Sequence, residues 1–280
     1  MNRFIIYYFF LFMQNSILIS SLPMITIYIH GSQNATKLLS KNIWYCKKGL
    51  HHISALPESS LFVKDAQTLQ AIDKNRFNLD HYYIFGWSGK IDFDIRKEEG
   101  ISLYKAIKSL LHHYYQKDYS YPMIRIISHS HGGNVALHLI EEVVSSHEQN
   151  MKFEMILMAC PVQKITESFI NHSSIIRSII LYSTFDLIQR LDFYTYEGKR
   201  YWPKRTFQTG AKNCYQILLK VNQKRLAHTD FCHSVVRYIP EILEKIDNSF
   251  DEKEYNIVDS KFIGYNGFNL IKAISGSRKK

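Results

Sequence analysis

The chain has 280 residues, 46% hydrophobic and 21% charged, which excludes an intrinsically disordered polypeptide and leaves ample length to bury a core. Its formal net charge of +10 would suit an anionic partner, but the basic residues are scattered, and the one compact cluster is the tail 277–280. No zinc-finger spacing, RNA-binding aromatic signature or internal repeat accompanies them, so nucleic acid is not an expected partner, and the four cysteines form no C-x-x-C pair that would hold a metal.

The N-terminus carries Arg3, an apolar run over 4–13, the polar pair Gln14-Asn15, a second apolar patch and the small residues Ser20 and Ser21. A charged start, apolar centre and small-residue exit are the layout of a secretory signal peptide. The first run is too short to span a bilayer, which takes about 20 residues. Residues 1–22 therefore read as a cleaved signal peptide, as a membrane anchor if counted through Leu22, or as a buried segment. The first two readings make the protein exported, periplasmic or secreted, or membrane-anchored. One domain is expected over 23–250, followed by a C-terminal extension, 251–280, ending in a partly flexible basic tail.

Within the domain, β-branched residues predict a strand over 24–32, ended by His30-Gly31-Ser32. Residues 33–60 read as irregular. Apolar spacing predicts a helix over 60–72, and 81–90 reads as a strand entering a Gly-bounded turn, where Trp87 and Ser88 fit either a pocket mouth or a structural turn. A long amphipathic helix over 95–115 places Ile101, Tyr104, Ile107 and Leu111 on one face. Next come a strand and helix over 124–146, strands over 153–162 and within 174–189, a last strand over 213–221 and a closing helix over 231–246. The strands are continuous apolar runs separated by helices, the pattern of an α/β fold: a mostly parallel sheet flanked by helices on both faces.

The segment IRIISHSHGGNVALHLI, 124–140, carries the chemistry. A sharp strand-to-helix turn thrusts its central residue over the sheet edge and needs small residues two before and two after it. Ser128 and Gly132 meet that need around Ser130. The helix that follows aims backbone N–H groups and the positive end of its dipole at the same spot. A helix-capping turn at Ser128 or Ser130 would use the same residue types.

This segment resembles the G-x-S-x-G turn of the alpha/beta-hydrolase superfamily, in its lipase- and esterase-like branch, with Ser128 in place of the first Gly. FGWSGK (85–90) and GLHHISALP (49–57) add to the resemblance, which spans roughly 24–246. It implies a nucleophilic serine followed in chain order by an acid and a histidine. Asp186, just past a strand end in LYSTFDLIQ, fits the acid better than Asp192. His228, before Thr229-Asp230, fits the base better than His233, which is expected to be packed or surface-facing. His129 and His131 are expected to pack or touch substrate, and the backbone N–H of His131 to serve an oxyanion hole. YIHGS resembles the loop supplying the second donor, the backbone N–H of Ser32. The implied activity is hydrolysis of carboxylic esters through Ser130, Asp186 and His228, with no metal or organic cofactor. Expected partners are a small-molecule or lipid ester and a membrane surface. A catalytically silent binding protein on the same scaffold is the alternative. Segments 33–60 and 190–212 are long enough to cover a pocket; the second, aromatic and basic, could be a lid or membrane-facing loop but fits an ordinary packed excursion better.

Overall fold

The computed structural model describes residues 24–32, 46–118, 120–191, 194–196, 199–208, 213–248 and 254–262. The leader 1–22, most of the C-terminal extension, and Asp192 lie outside the described residues. In chain order the elements are β1 (Ile25–Ile29), β2 (Gly49–His52), α1 (Leu61–Ile72), β3 (Tyr82–Gly86), α2 (Phe93–Asp118), β4 (Ile124–His129), α3 (Gly132–Ser145), β5 (Phe153–Met158), β6 (Ile175–Tyr182), α4 (Ile188–Leu191), β7 (Tyr194–Tyr196), β8 (Lys199–Tyr201), β9 (Cys214–Val221), β10 (Lys224–Arg225), α5 (Ile239–Asp247) and β11 (Glu254–Ile257). The main sheet runs β10-β9-β6-β5-β4-β1-β3-β2, with β11 also paired to β9. β2 and β10 are antiparallel to their neighbours, and the other pairings are parallel.

Both faces are covered, which is why the central strands read as unbroken apolar runs. Tyr28, Ile127, Ile156 and Ile179 pack against Phe62, Ala66 and Leu69 of α1 and Ile242 and Leu243 of α5. Their strand neighbours Ile27, Ile126, Met155 and Ile180 point to the other face and meet Leu103 and Ile107 of α2 and Val135 and Leu139 of α3. Among the described residues no helix is long and apolar enough to cross a membrane.

A row of charges interrupts this apolar interior at one end of the sheet. At the start of the parallel strands, Arg125, Glu154 and Arg177 stand side by side in register, with Thr26 and Tyr82 continuing the row. Glu154 is buried and ion-paired to both arginines, and Arg177 reaches Asp247 of α5. Arg125 also donates to the Arg76 carbonyl at 2.8 Å and lies 4.8 Å over the Phe77 ring. The buried Glu154 carboxylate is thus matched by a cation on each side, the condition under which a buried ion is tolerable.

Three expectations change. The segment expected to be irregular holds the short strand β2, half-buried at the sheet edge. The closing helix does not run over 231–246: 3-10 turns occupy His228–Cys232 and Val236–Tyr238, and α5 begins at Ile239. Pro240 explains the difference, since proline has no N–H to donate and fits only a helix's first turn. The sheet also continues past residue 250, where β11 pairs with β9 inside the segment read as a C-terminal extension. Part of the excursion 190–212 is fastened to the domain. Val162 and Lys204 form a two-bond bridge, and Gln216 holds both backbone groups of Phe207 at 2.7 and 3.0 Å.

Candidate active site

The site lies at the carboxyl ends of β1, β4, β6 and β9. Ser130 directly follows β4, with only His131 between it and the start of α3, and its φ is +52°. A non-glycine residue in left-handed geometry costs on the order of 1 kcal/mol or more and marks a position held by its surroundings. Those surroundings are tight. A Cβ on Gly132 would come 2.5 Å from the Ile29 carbonyl oxygen and 2.6 Å from that of His30. A Cβ on Gly31 would come 2.9 Å from the Cβ of Ser130 and 2.8 Å from Nδ1 of His129. The turn after β1 and the turn after β4 therefore interlock, and the glycines serve close approach.

Ser130, His228 and Asp186 meet. The Ser130 hydroxyl donates to Nε2 of His228 at 2.9 Å, and Nδ1–H of His228 donates to Oδ2 of Asp186 at 2.7 Å. The other carboxylate oxygen of Asp186 accepts the Gln189 backbone N–H at 3.0 Å, and the Asp186 carbonyl accepts from Arg205 at 2.7 Å. Gln189 is itself anchored by its side-chain amide on the Cys160 carbonyl at 2.6 Å. Asp186 is thus fixed from its own loop, and the His228 ring is fixed by Asp186.

His129 supports the His228 ring from behind. Its ring packs on His228 with centroids 4.8 Å apart, and its Nε2–H donates to the His228 carbonyl at 3.2 Å. The Cys232 thiol lies 3.4 Å from the other ring nitrogen. Burial, reinforced by the neighbouring His228, lowers the pKa of His129 well below the usual imidazole value. Burial raises the thiols of Cys160 and Cys232 to about 12, so neither is a ready thiolate nucleophile. Among the described residues no group of three or more His, Cys, Asp or Glu could hold a metal ion.

The serine elbow, the acid after β6, the histidine after β9 and the antiparallel strand at the β2 edge sit on one mostly parallel sheet. The fold is that of the alpha/beta hydrolases. Among solved structures, the product of gene lin2722 of Listeria innocua is similar at 12% sequence identity, covering 84% of this chain and 98% of its own, with a TM-score of 0.41. A Pyrobaculum calidifontis esterase is similar at 12% identity, over 92% of this chain and 73% of its own, with a TM-score of 0.35. No family model and no curated protein matches the sequence.

The structure brings together the three expected side chains and sets Ser32 and His131 on the two interlocked turns, His131 immediately before α3. His233 does not face the serine. It is half-exposed and ion-paired with the buried Asp65 of α1, and that pairing raises its pKa. His129 packs behind the His228 ring, one of the two roles expected of it, and Trp87 is buried beside the β1 turn, as the structural-turn reading has it. The partners of each, the His228 carbonyl for one and the His30 carbonyl for the other, were not visible in the sequence.

Proposed function

We propose that the protein is a serine hydrolase that cleaves carboxylic esters through an acyl-enzyme on Ser130. The observation that carries this reading is the unbroken chain of hydrogen bonds from the Ser130 hydroxyl through His228 to Asp186, at 2.9 and 2.7 Å. Such a chain exists to make an alcohol nucleophilic near neutral pH. His228 Nε2 takes the hydroxyl proton as Oγ bonds to the ester carbonyl carbon, and the carbonyl π pair moves onto oxygen. Asp186 holds the ring in the tautomer that leaves Nε2 open and stabilises the imidazolium.

The backbone N–H groups of His131 and Ser32 receive the oxyanion in this reading, each worth about 10²- to 10³-fold in rate at comparable sites. Collapse of the tetrahedral adduct expels the alcohol, which takes its proton from His228. Water then gives a proton to Nε2, attacks the acyl carbon and releases the acid, and the proton returns to Ser130. No metal or organic cofactor enters these steps.

Phe185, Leu187 and Ile188 flank Asp186 with exposed apolar side chains, and Trp202 is exposed on the following excursion. They favour an ester with an apolar acyl or alcohol part, including lipid esters presented at a membrane surface. Export or anchoring through residues 1–22 fits the same setting. Hydrolysis of p-nitrophenyl esters of increasing chain length by wild type and Ser130→Ala tests the reading. Activity that rises with chain length and vanishes in the variant is expected. Equal activity in the two proteins would refute it, and N-terminal sequencing of the mature protein tests export.

A further inference from the structure

We infer that Trp87 and His30 are positioning residues that together aim the backbone N–H of Ser32 at the reacting carbonyl. The inference rests on the serine-hydrolase reading and concerns how one half of its oxyanion hole is held.

A glycine can rotate its flanking peptides with little steric penalty, so the Gly31–Ser32 peptide needs an external restraint. A trans peptide is planar, and its N–H points opposite to its C=O. Whatever holds the Gly31 carbonyl therefore sets the direction of the Ser32 N–H. The His30 ring holds it: Nδ1 lies 2.7 Å from the Gly31 oxygen. This bond needs the proton on Nδ1, and Trp87 enforces that tautomer. The Trp87 backbone N–H donates to His30 Nε2 at 3.2 Å, so that nitrogen must carry the lone pair.

Trp87 also grips the other side of the turn. Its indole N–H donates to the His30 carbonyl at 2.7 Å, and its ring stacks on the imidazole at 5.8 Å with planes 16° apart. Phe62 also stacks on the His30 ring, with centroids 6.1 Å apart. Burial lowers the His30 pKa to about 4, so the ring stays neutral and the bond pattern holds at working pH. A buried indole needs some acceptor for its N–H. Here the acceptor is the carbonyl just before the glycine that touches Ser130, which gives the bond a consequence for chemistry.

The test compares wild type with Trp87→Phe, which removes the indole donor, and His30→Phe, which keeps a stacked ring but removes both nitrogens. Replacing Trp87 by 3-benzothienylalanine, an isostere with sulfur in place of the N–H, covers the case in which a cavity unfolds the protein. Each is expected to lower kcat about 10- to 100-fold with KM changed by less than about threefold, since a misaimed donor is felt only in the transition state. The affinity for a trifluoromethyl ketone, which forms an oxyanion adduct, should fall by the same factor. Wild-type kcat and ketone affinity in folded variants, or a rise in KM alone, would overturn the inference while leaving the hydrolase reading intact. A wild-type protein that neither hydrolyses esters nor reacts with a fluorophosphonate would overturn both.

Discussion

The two ends of the parallel sheet handle buried polar groups in opposite ways. At the start of the strands, Arg125, Glu154 and Arg177 lie in register and satisfy one another, with Asp247 closing the row from α5. At the finish, Ser130, His228 and Asp186 form an equally continuous chain, but it ends on a hydroxyl carried by a strained backbone. A polar row closed at both ends holds the sheet, whereas one ending in a transferable proton can do chemistry. The difference is one of termination, since both rows are well paired.

Substitutions at the two ends should therefore separate activity from stability. Ser130→Ala is expected to lower kcat by about 10⁴-fold or more while leaving the denaturant midpoint nearly unchanged. Asp186→Asn, with geometry kept but the ring tautomer no longer fixed, should lower kcat by about 10⁴-fold. Glu154→Gln should do the reverse. It leaves two cations facing a neutral amide, Arg125 fully buried among them, and should cost about 3–5 kcal/mol in urea unfolding with kcat per folded molecule unchanged.

Acid should weaken the site end through its histidines. His30 has an ordinary value of 6.5, lowered by burial to about 4. Between those values the unfolded chain binds a proton that the native state refuses, so stability falls as pH drops, by about 3 kcal/mol in all. His129 is shifted the same way. Asp65, raised by burial from 3.8 to about 6, opposes them, since below pH 6 the native state protonates first. His233, raised by its pairing with Asp65, opposes them too, while His138, lowered by burial, adds to the loss. Three lowered histidines outweigh that pair, and unfolding free energies at pH 7, 5.5 and 4 should decline in that order, less steeply in His30→Phe. The smallest effect should come from Ser130→Gly. It abolishes activity yet relieves the left-handed strain, raising the unfolding free energy by about 1 kcal/mol.

Much of this was legible in the chain because burial on both faces writes itself as continuous apolar runs. β1, β4, β5 and β6 announce themselves that way, and the small residues Ser128 and Gly132 betray the elbow. What stayed hidden depends on register or on short elements. Arg125, Glu154 and Arg177 each stand alone in an apolar strand, and only the pairing of β4, β5 and β6 shows that they are neighbours. β2 and β11 have four residues each, too few for a periodicity. Pro240 did mark where α5 could begin, and the apolar spacing around it concealed the signal. His129 and Trp87 gained their roles from partners 99 and 57 residues away along the chain.

The most direct test of the central claim is to treat the folded protein with a fluorophosphonate and locate the label by peptide mass spectrometry. The account predicts one equivalent of label, on Ser130, with the reaction lost in His228→Ala. Absence of label in the folded protein, or label on another residue with Ser130 untouched, would contradict it.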